Sequence, residues 1–114
     1  MIIIYHNNRC SKSRQCLGII KKSKLDYKVI EYLKEELSLT EIRKIVYRLD
    51  AALIDIVRTD EKVIKGLKIN FTNKESIVNL ISNYKICMQR PIVYVKKKYV
   101  ICRPPEKILK YIKE

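Results

Sequence analysis

From Met1 to Tyr32 the sequence passes through an apolar run, a polar loop, an amphipathic stretch and a second apolar run. Met1 to Tyr5 has the composition of a buried strand. His6 to Cys10 is a polar loop rich in turn formers. A helix is predicted from about Ser11 to Lys22, with Cys16, Leu17 and Ile20 on one face and basic residues near its C-terminal end. Tyr27 to Tyr32 suits a second strand, with Val29 and also Tyr27 turned inward. Strand, helix and strand over so short a span make a βαβ unit, which demands parallel strands and a right-handed crossover.

The middle of the chain is helical in pattern. Ser38 and Glu41 have the spacing of a capping box, and Ile42, Ile45, Val46 and Leu49 then recur at helical intervals. Ala52 to Lys65 predicts one or two short helices ending near Gly66. Thr72 and Glu75 suggest a second capping box, opening a helix with Ile77, Leu80, Ile81 and Tyr84 on one face. The tail changes period. Pro91–Val95 and Lys98–Cys102 are rich in β-branched residues and are joined by a lysine turn, so they predict a hairpin, although no Asn-Gly fixes its register. Pro105 suits the first turn of a last helix, packed through Ile108, Leu109 and Ile112. The order β-α-β, helical insert, α, β-β-α implies an α/β layering: a four-stranded mixed sheet flanked by helices. The 114 residues suit one domain spanning 1–114, with the helical insertion at about 36–70.

Composition narrows the function classes. Hydrophobic residues make up 47% of the chain, without a low-complexity tract, which argues against disorder. No apolar run reaches the roughly 18 residues of a membrane span, and the opening run lacks the features of a signal peptide. The cysteines, Cys10, Cys16, Cys87 and Cys102, therefore read as thiols in a reducing, cytoplasmic setting. They lack zinc-ligand spacing and His6 is the sole histidine, so no metal is expected. The formal charge of +13 favours anionic partners. Its lysines are spread along the chain as a solvated surface, and the short clusters at Lys21–Lys24 and Lys96–Lys98 are not interleaved with aromatics as a single-strand-binding face would be.

Cys10 carries the chemistry. It lies between the first strand and the first helix, where unpaired N–H groups and partial positive charge favour a thiolate. Arg9, Lys12 and Arg14 add cationic charge, the setting that depresses a cysteine pKa. The same amides bind tetrahedral anions, so one loop activates a thiol and holds an oxyanion beside it. The plainer alternative is a buried cysteine that caps the strand. His6 either orients the loop, stabilises the thiolate when charged, or simply hydrogen-bonds the loop backbone. Asn7 and Asn8 shape the loop; Ser13 caps the helix or donates to the thiolate. With Ser at position 13 there is no Cys-x-x-Cys. On one helix Cys10 and Cys16 would stand about 9 Å apart, beyond the roughly 7 Å that a disulfide allows. Cys16, Cys87 and Cys102 are therefore expected in the core.

Ile4-Tyr5-His6-Asn7-Asn8-Arg9-Cys10-Ser11-Lys12-Ser13-Arg14 resembles the opening motif of the glutaredoxin-dependent arsenate reductases, His-Asn-x-x-Cys-x-x-Ser-Arg. Ile56-Val57-Arg58-Thr59, Gln89-Arg90-Pro91-Ile92-Val93 and Cys102-Arg103-Pro104-Pro105-Glu106 resemble further segments of that family, in the same order and over nearly the whole chain. The resemblance implies a thioredoxin-like fold. It implies that Cys10 attacks arsenate to form a thiol–arsenic adduct, that glutathione and then glutaredoxin supply the reducing thiols, and that arsenite leaves. No bound cofactor is implied, glutathione being a co-substrate. It assigns Arg58, Arg90 and Arg103 to the oxyanion, His6 to assist the cysteine, and Pro91 as the cis proline beside it. Guanidinium forks suit this work, because a thiolate must approach an anion of like charge. A second possibility is a redox-responsive transcription regulator of the Spx type, which has the same fold and binds RNA polymerase. The basic charge suits it, while Ser13 and the arginine set argue against it. A third is a family member acting on another thiol or oxyanion. Direct nucleic-acid binding has no recognition motif behind it.

Overall fold

A computed structural model of the chain describes residues 1–112. Its strands are β1 (Ile2–Tyr5), β2 (Tyr27–Ile30), β3 (Ile92–Val95) and β4 (Lys98–Ile101). Its α-helices are α1 (Ser11–Lys22), α2 (Leu39–Tyr47), α3 (Lys74–Asn83) and α4 (Leu109–Ile112). The sheet order is β2-β1-β3-β4. β1 runs parallel to β2 and antiparallel to β3, and β3 and β4 form the hairpin. This is the mixed four-stranded α/β sheet of a thioredoxin-like fold.

Alternation along each strand serves two cores. Ile2 and Ile4 of β1, Val93 and Val95 of β3, and Val100 and Cys102 at β4 face α1 through Cys16 and Ile20, and the 3-10 turn Pro105–Ile108 that leads into α4 through Ile108. Tyr5, Ile92, Tyr99 and Ile101 face the opposite side, against Ile42, Ile45 and Val46 of α2 and Ile77 and Ile81 of α3. A sheet covered on both faces needs no polar face, so its strands are almost continuously apolar. Truncating a wholly buried isoleucine of either core, such as Ile4 or Ile81, costs about 2–5 kcal/mol.

The insert is fastened by backbone pairing at two points. Asp50 N–H donates to Tyr99 O at 2.8 Å and Tyr99 N–H to Arg48 O at 3.2 Å, which covers part of the open edge of β4. Arg58 N–H donates to Cys87 O at 2.8 Å and Gln89 N–H to Ile56 O at 2.7 Å, bringing the segment after the insert's first 3-10 turn, Leu53–Ile56, beside the approach to β3. A second 3-10 turn, Lys62–Gly66, completes the short helices expected there.

Several details differ from expectation. β2 ends at Ile30, and Tyr27 at its start is exposed, because only Val29 and Ile30 reach a core. The cap of α3 is Asn73, whose side chain accepts from Ser76 N–H at 3.0 Å, and not Thr72, whose hydroxyl donates to Asn70. Asn is as good a cap as Ser or Thr, and Glu75 is drawn away to Arg43 and Tyr47. Ser38 does cap α2 through Glu41 N–H, while the Glu41 carboxylate takes the Tyr5 hydroxyl at 2.8 Å. Tyr84 falls past the end of α3 and Leu109 points outward, so both are exposed. Lys96 and Lys97, with φ of 51° and 65°, form the hairpin turn in the left-handed region that Asn-Gly would have supplied.

Candidate active site

Cys10 is the residue before the first turn of α1. Its backbone is extended, and its carbonyl accepts the first helical bond from Arg14 N–H at 3.0 Å. The preceding loop is held by its own polar groups. Cys10 N–H donates to Asn7 O at 3.0 Å and Arg9 N–H to the Asn7 side chain at 3.0 Å. Arg14 Nη1 reaches back to Asn8 O at 2.9 Å. Asn7 thus shapes the loop through its own polar groups, and Arg14 braces it through the Asn8 carbonyl.

Ser13 and His6 form the buried underside. His6 Nδ1 and Ser13 Oγ lie 2.6 Å apart, and Asn7 N–H donates to the same oxygen at 3.1 Å. Ser13 is wholly buried and His6 nearly so. Burial pushes the His6 pKa down; Asn8 and Glu31 oppose this, and the charges of Arg14 and Lys21 add to it. A neutral imidazole is thus favoured, with Nδ1 able to accept the serine proton. Burial thus works against a charged histidine, and the contacts of Ser13 Oγ are with His6 and Asn7. The Ser13 hydroxyl is spent on His6 and Asn7, while its backbone N–H serves Cys10.

The half-buried Cys10 thiol has a lowered pKa. Burial alone would raise it. The N–H of Ser13, the Arg90 guanidinium, the N–H of Lys12 and the Arg103 guanidinium together outweigh burial. Arg103 Nη1 stands 3.7 Å from Sγ and donates to Arg90 O at 3.0 Å, which ties the two arginine segments together above the sulfur. The Arg90–Pro91 and Arg103–Pro104 bonds are both cis, and Pro91 is buried at the start of β3. Beside the loop lies a cleft of about 430 Å³ lined by His6, Asn8, Arg9, Lys34, Ile86 and Arg90, among others. Its cations, Arg9, Lys34 and Arg90, face one carboxylate, Glu31, which pairs with Lys34 at 3.4 Å.

The structure thus gathers Cys10, Arg90 and Arg103 at one point, from three segments remote in sequence. Arg58 is held by other partners: its Nη1 pairs with Glu61 Oε2 at 2.6 Å and donates to Ile86 O at 3.4 Å, and its charge acts on Tyr32, a phenol that Arg90 and Cys10 also act on. The spacing of Arg58 and Glu61, three residues apart, was a readable signal for that pair. Tyr32 carried none, since an aromatic at a strand end reads as core.

These features coincide with a family match. The ArsC family model matches residues 5–111. The chain belongs to the ArsC family. Arsenate reductases of Haemophilus influenzae and of Neisseria meningitidis serogroup A are each 30% identical to it, over 97% and 94% of this chain and 98% and 94% of their own lengths. The solved structure of an arsenate reductase from Vibrio cholerae superposes with a TM-score of 0.84 at 26% identity, covering 96% of each chain. This ArsC chain has no helix among its described residues long and apolar enough to cross a membrane.

Proposed function

We propose that the chain is a thiol-dependent arsenate reductase, with Cys10 as nucleophile and Arg90 and Arg103 as the oxyanion ligands. The observation that carries this is the contact of Arg103 Nη1 with Cys10 Sγ at 3.7 Å, made by an arginine that also braces Arg90. A guanidinium so placed serves the thiolate first, and then the anion that the thiolate must meet.

In this reading Cys10 Sγ attacks arsenic, an S–As bond forms, and one arsenate oxygen leaves as water. Glutathione then attacks the adduct and glutaredoxin resolves the resulting disulfide. Two external thiols become a disulfide, and their two electrons take arsenic from the pentavalent to the trivalent state, released as arsenite. The chain ends with Cys10 as it began and needs no second cysteine of its own. This agrees with Cys16, Cys87 and Cys102 being buried free thiols. His6 acts through Ser13 by holding the loop whose amides face Sγ. Arg58 takes part by exchanging Glu61 for the incoming anion.

The test is arsenate-dependent turnover with glutathione and glutaredoxin, for the wild type and Cys10→Ser. The proposal expects turnover in the first and none in the second. A wild type that is inactive on arsenate yet binds RNA polymerase would overturn it in favour of a regulator.

A further inference from the structure

We propose that the cleft beside Cys10 is the docking site of the reducing thiol, and that Arg9, Lys34 and Glu31 select a small thiol peptide bearing two carboxylates and one ammonium, the charge set of glutathione. This rests on the reading of Cys10 as a nucleophile that an external thiol must clear. The cleft measures about 430 Å³, within the roughly 300–1,000 Å³ of small-molecule sites. A lone tetrahedral oxyanion fills only a small part of it. Its charges are mixed, with Glu31 set among the cations Arg9, Lys34 and Arg90. Two ligand carboxylates answer Arg9 and Lys34, and one ligand ammonium answers Glu31. Arg90 is left for the oxyanion, at the border where the two ligands meet. Leu33 and Ile86 add exposed apolar wall, which suits the peptide's methylene groups.

The walls of the cleft are tied to one another. His6 N–H donates to Ile30 O at 2.8 Å, joining the Cys10 loop to the strand that leads into Glu31. Lys34 N–H and Glu35 N–H donate to Glu31 O at 2.9 and 3.0 Å, and Glu31 N–H donates to Glu35 Oε2 at 2.9 Å. The turn therefore spends the Glu35 carboxylate on itself. Lys85 Nζ donates to Glu35 O at 2.7 Å, which fastens the turn to the segment carrying Ile86. A preformed cleft lowers the ordering cost of binding. The Glu31–Lys34 pair is 3.4 Å long, with side chains 38% and 72% exposed. Such a pair is weak and opens to a ligand that offers both charges. The other end of the cleft reaches the nucleophile. Arg9 precedes Cys10, and Arg90 O accepts from Arg103 Nη1, which stands 3.7 Å from Sγ. Cys16, Cys87 and Cys102 are buried free thiols, so the thiol that clears Cys10 comes from outside and needs a place to dock.

S-methylglutathione keeps these charges and cannot react. Its protection of Cys10 from iodoacetamide, a neutral reagent, is measured in the wild type, Lys34→Glu and Glu31→Gln, each against its own rate without ligand. Wild-type protection is expected, and it should weaken as salt is raised. Lys34→Glu should weaken it by about three- to tenfold and Glu31→Gln by about twofold, the scale of exposed charge pairs. No protection of the wild type, or protection that both variants leave intact, overturns the proposal. Turnover separates this outcome from the reading beneath it. Lys34→Glu should raise the KM for glutathione and leave that for arsenate unchanged. If the wild type turns over no arsenate, the arsenate reading falls, while protection by S-methylglutathione still decides the cleft. If arsenate is turned over and S-methylglutathione gives no protection, the cleft assignment falls and the reductase reading stands.

Discussion

Helix α1 carries two cysteines with opposite chemistry. Cys10 stands at its mouth, half-buried, with helix-start amides and two guanidinium groups around a sulfur whose pKa is lowered. Cys16 lies within the same helix, wholly buried against Cys102. Hydrogen bonding with Cys102 and then burial push its pKa far up. Less than two turns of helix separate a thiol whose pKa is lowered from one whose pKa is raised. The lesson is that the side chain does not set the reactivity. An end of a helix offers unpaired N–H groups, whereas its middle has spent them.

The largest effect expected from breaking this contrast is Cys10→Ser, which should cut arsenate turnover by at least about 10³-fold, while Cys16→Ala should leave it within a fewfold. Equal losses in the two variants would erase the distinction. Next come the arginines. Arg103→Ala or Arg90→Ala should slow turnover by about 10- to 100-fold, one lost charge-assisted contact each. Arg58→Ala should lose less, since its guanidinium is already held by Glu61. Steady-state kinetics rank them, and a loss for Arg58 as large as for Arg103 would contradict the geometry.

Ser13→Ala sharpens the comparison from below. It leaves His6 Nδ1 and the Asn7 amide without their shared oxygen, so it should cost about 1–3 kcal/mol in denaturant unfolding and raise the Cys10 pKa as the loop slackens. The smallest effect lies in the pH dependence of stability. The lowered Cys10 pKa means that the unfolded chain binds more protons at this site. Stability contributed by Cys10 is therefore present above the free-thiol value of about 8.5 and is lost as pH falls through the folded value. Cys16 has the opposite sign: its contribution is present below that value and is lost at higher pH. Unfolding followed from pH 6 to 10 should show the first slope shrink in Cys10→Ser, with the lowered His6 keeping part of it near pH 6, and the second shrink in Cys16→Ala, with Cys87, also raised by burial, keeping part of it.

Much of this was legible in the residues. The βαβ opening, the bounds of α1 at Ser11 and Lys22, the hairpin, and Cys10 at a helix start all follow from period and position. Local rivalry hid other details. Asn73 and Thr72 compete for one cap, and the bond from Ser76 N–H to the Asn73 side chain, with Glu75 diverted to Arg43 and Tyr47, shows which wins. The convergence of Arg90 and Arg103 came from motif order, because spacing alone cannot place remote segments together. The position of the Arg58–Glu61 pair depends on how the insert is pinned at Arg58 and Gln89, which no periodicity encodes.

The most direct measurement is site-resolved alkylation of the folded protein against pH, read by peptide mass for each cysteine. A Cys10 midpoint clearly below about 8.5, with Cys16 and Cys102 unlabelled until the chain unfolds, is the result these two environments require. A Cys10 midpoint at or above that value, or labelling of Cys16 in step with Cys10, would contradict it.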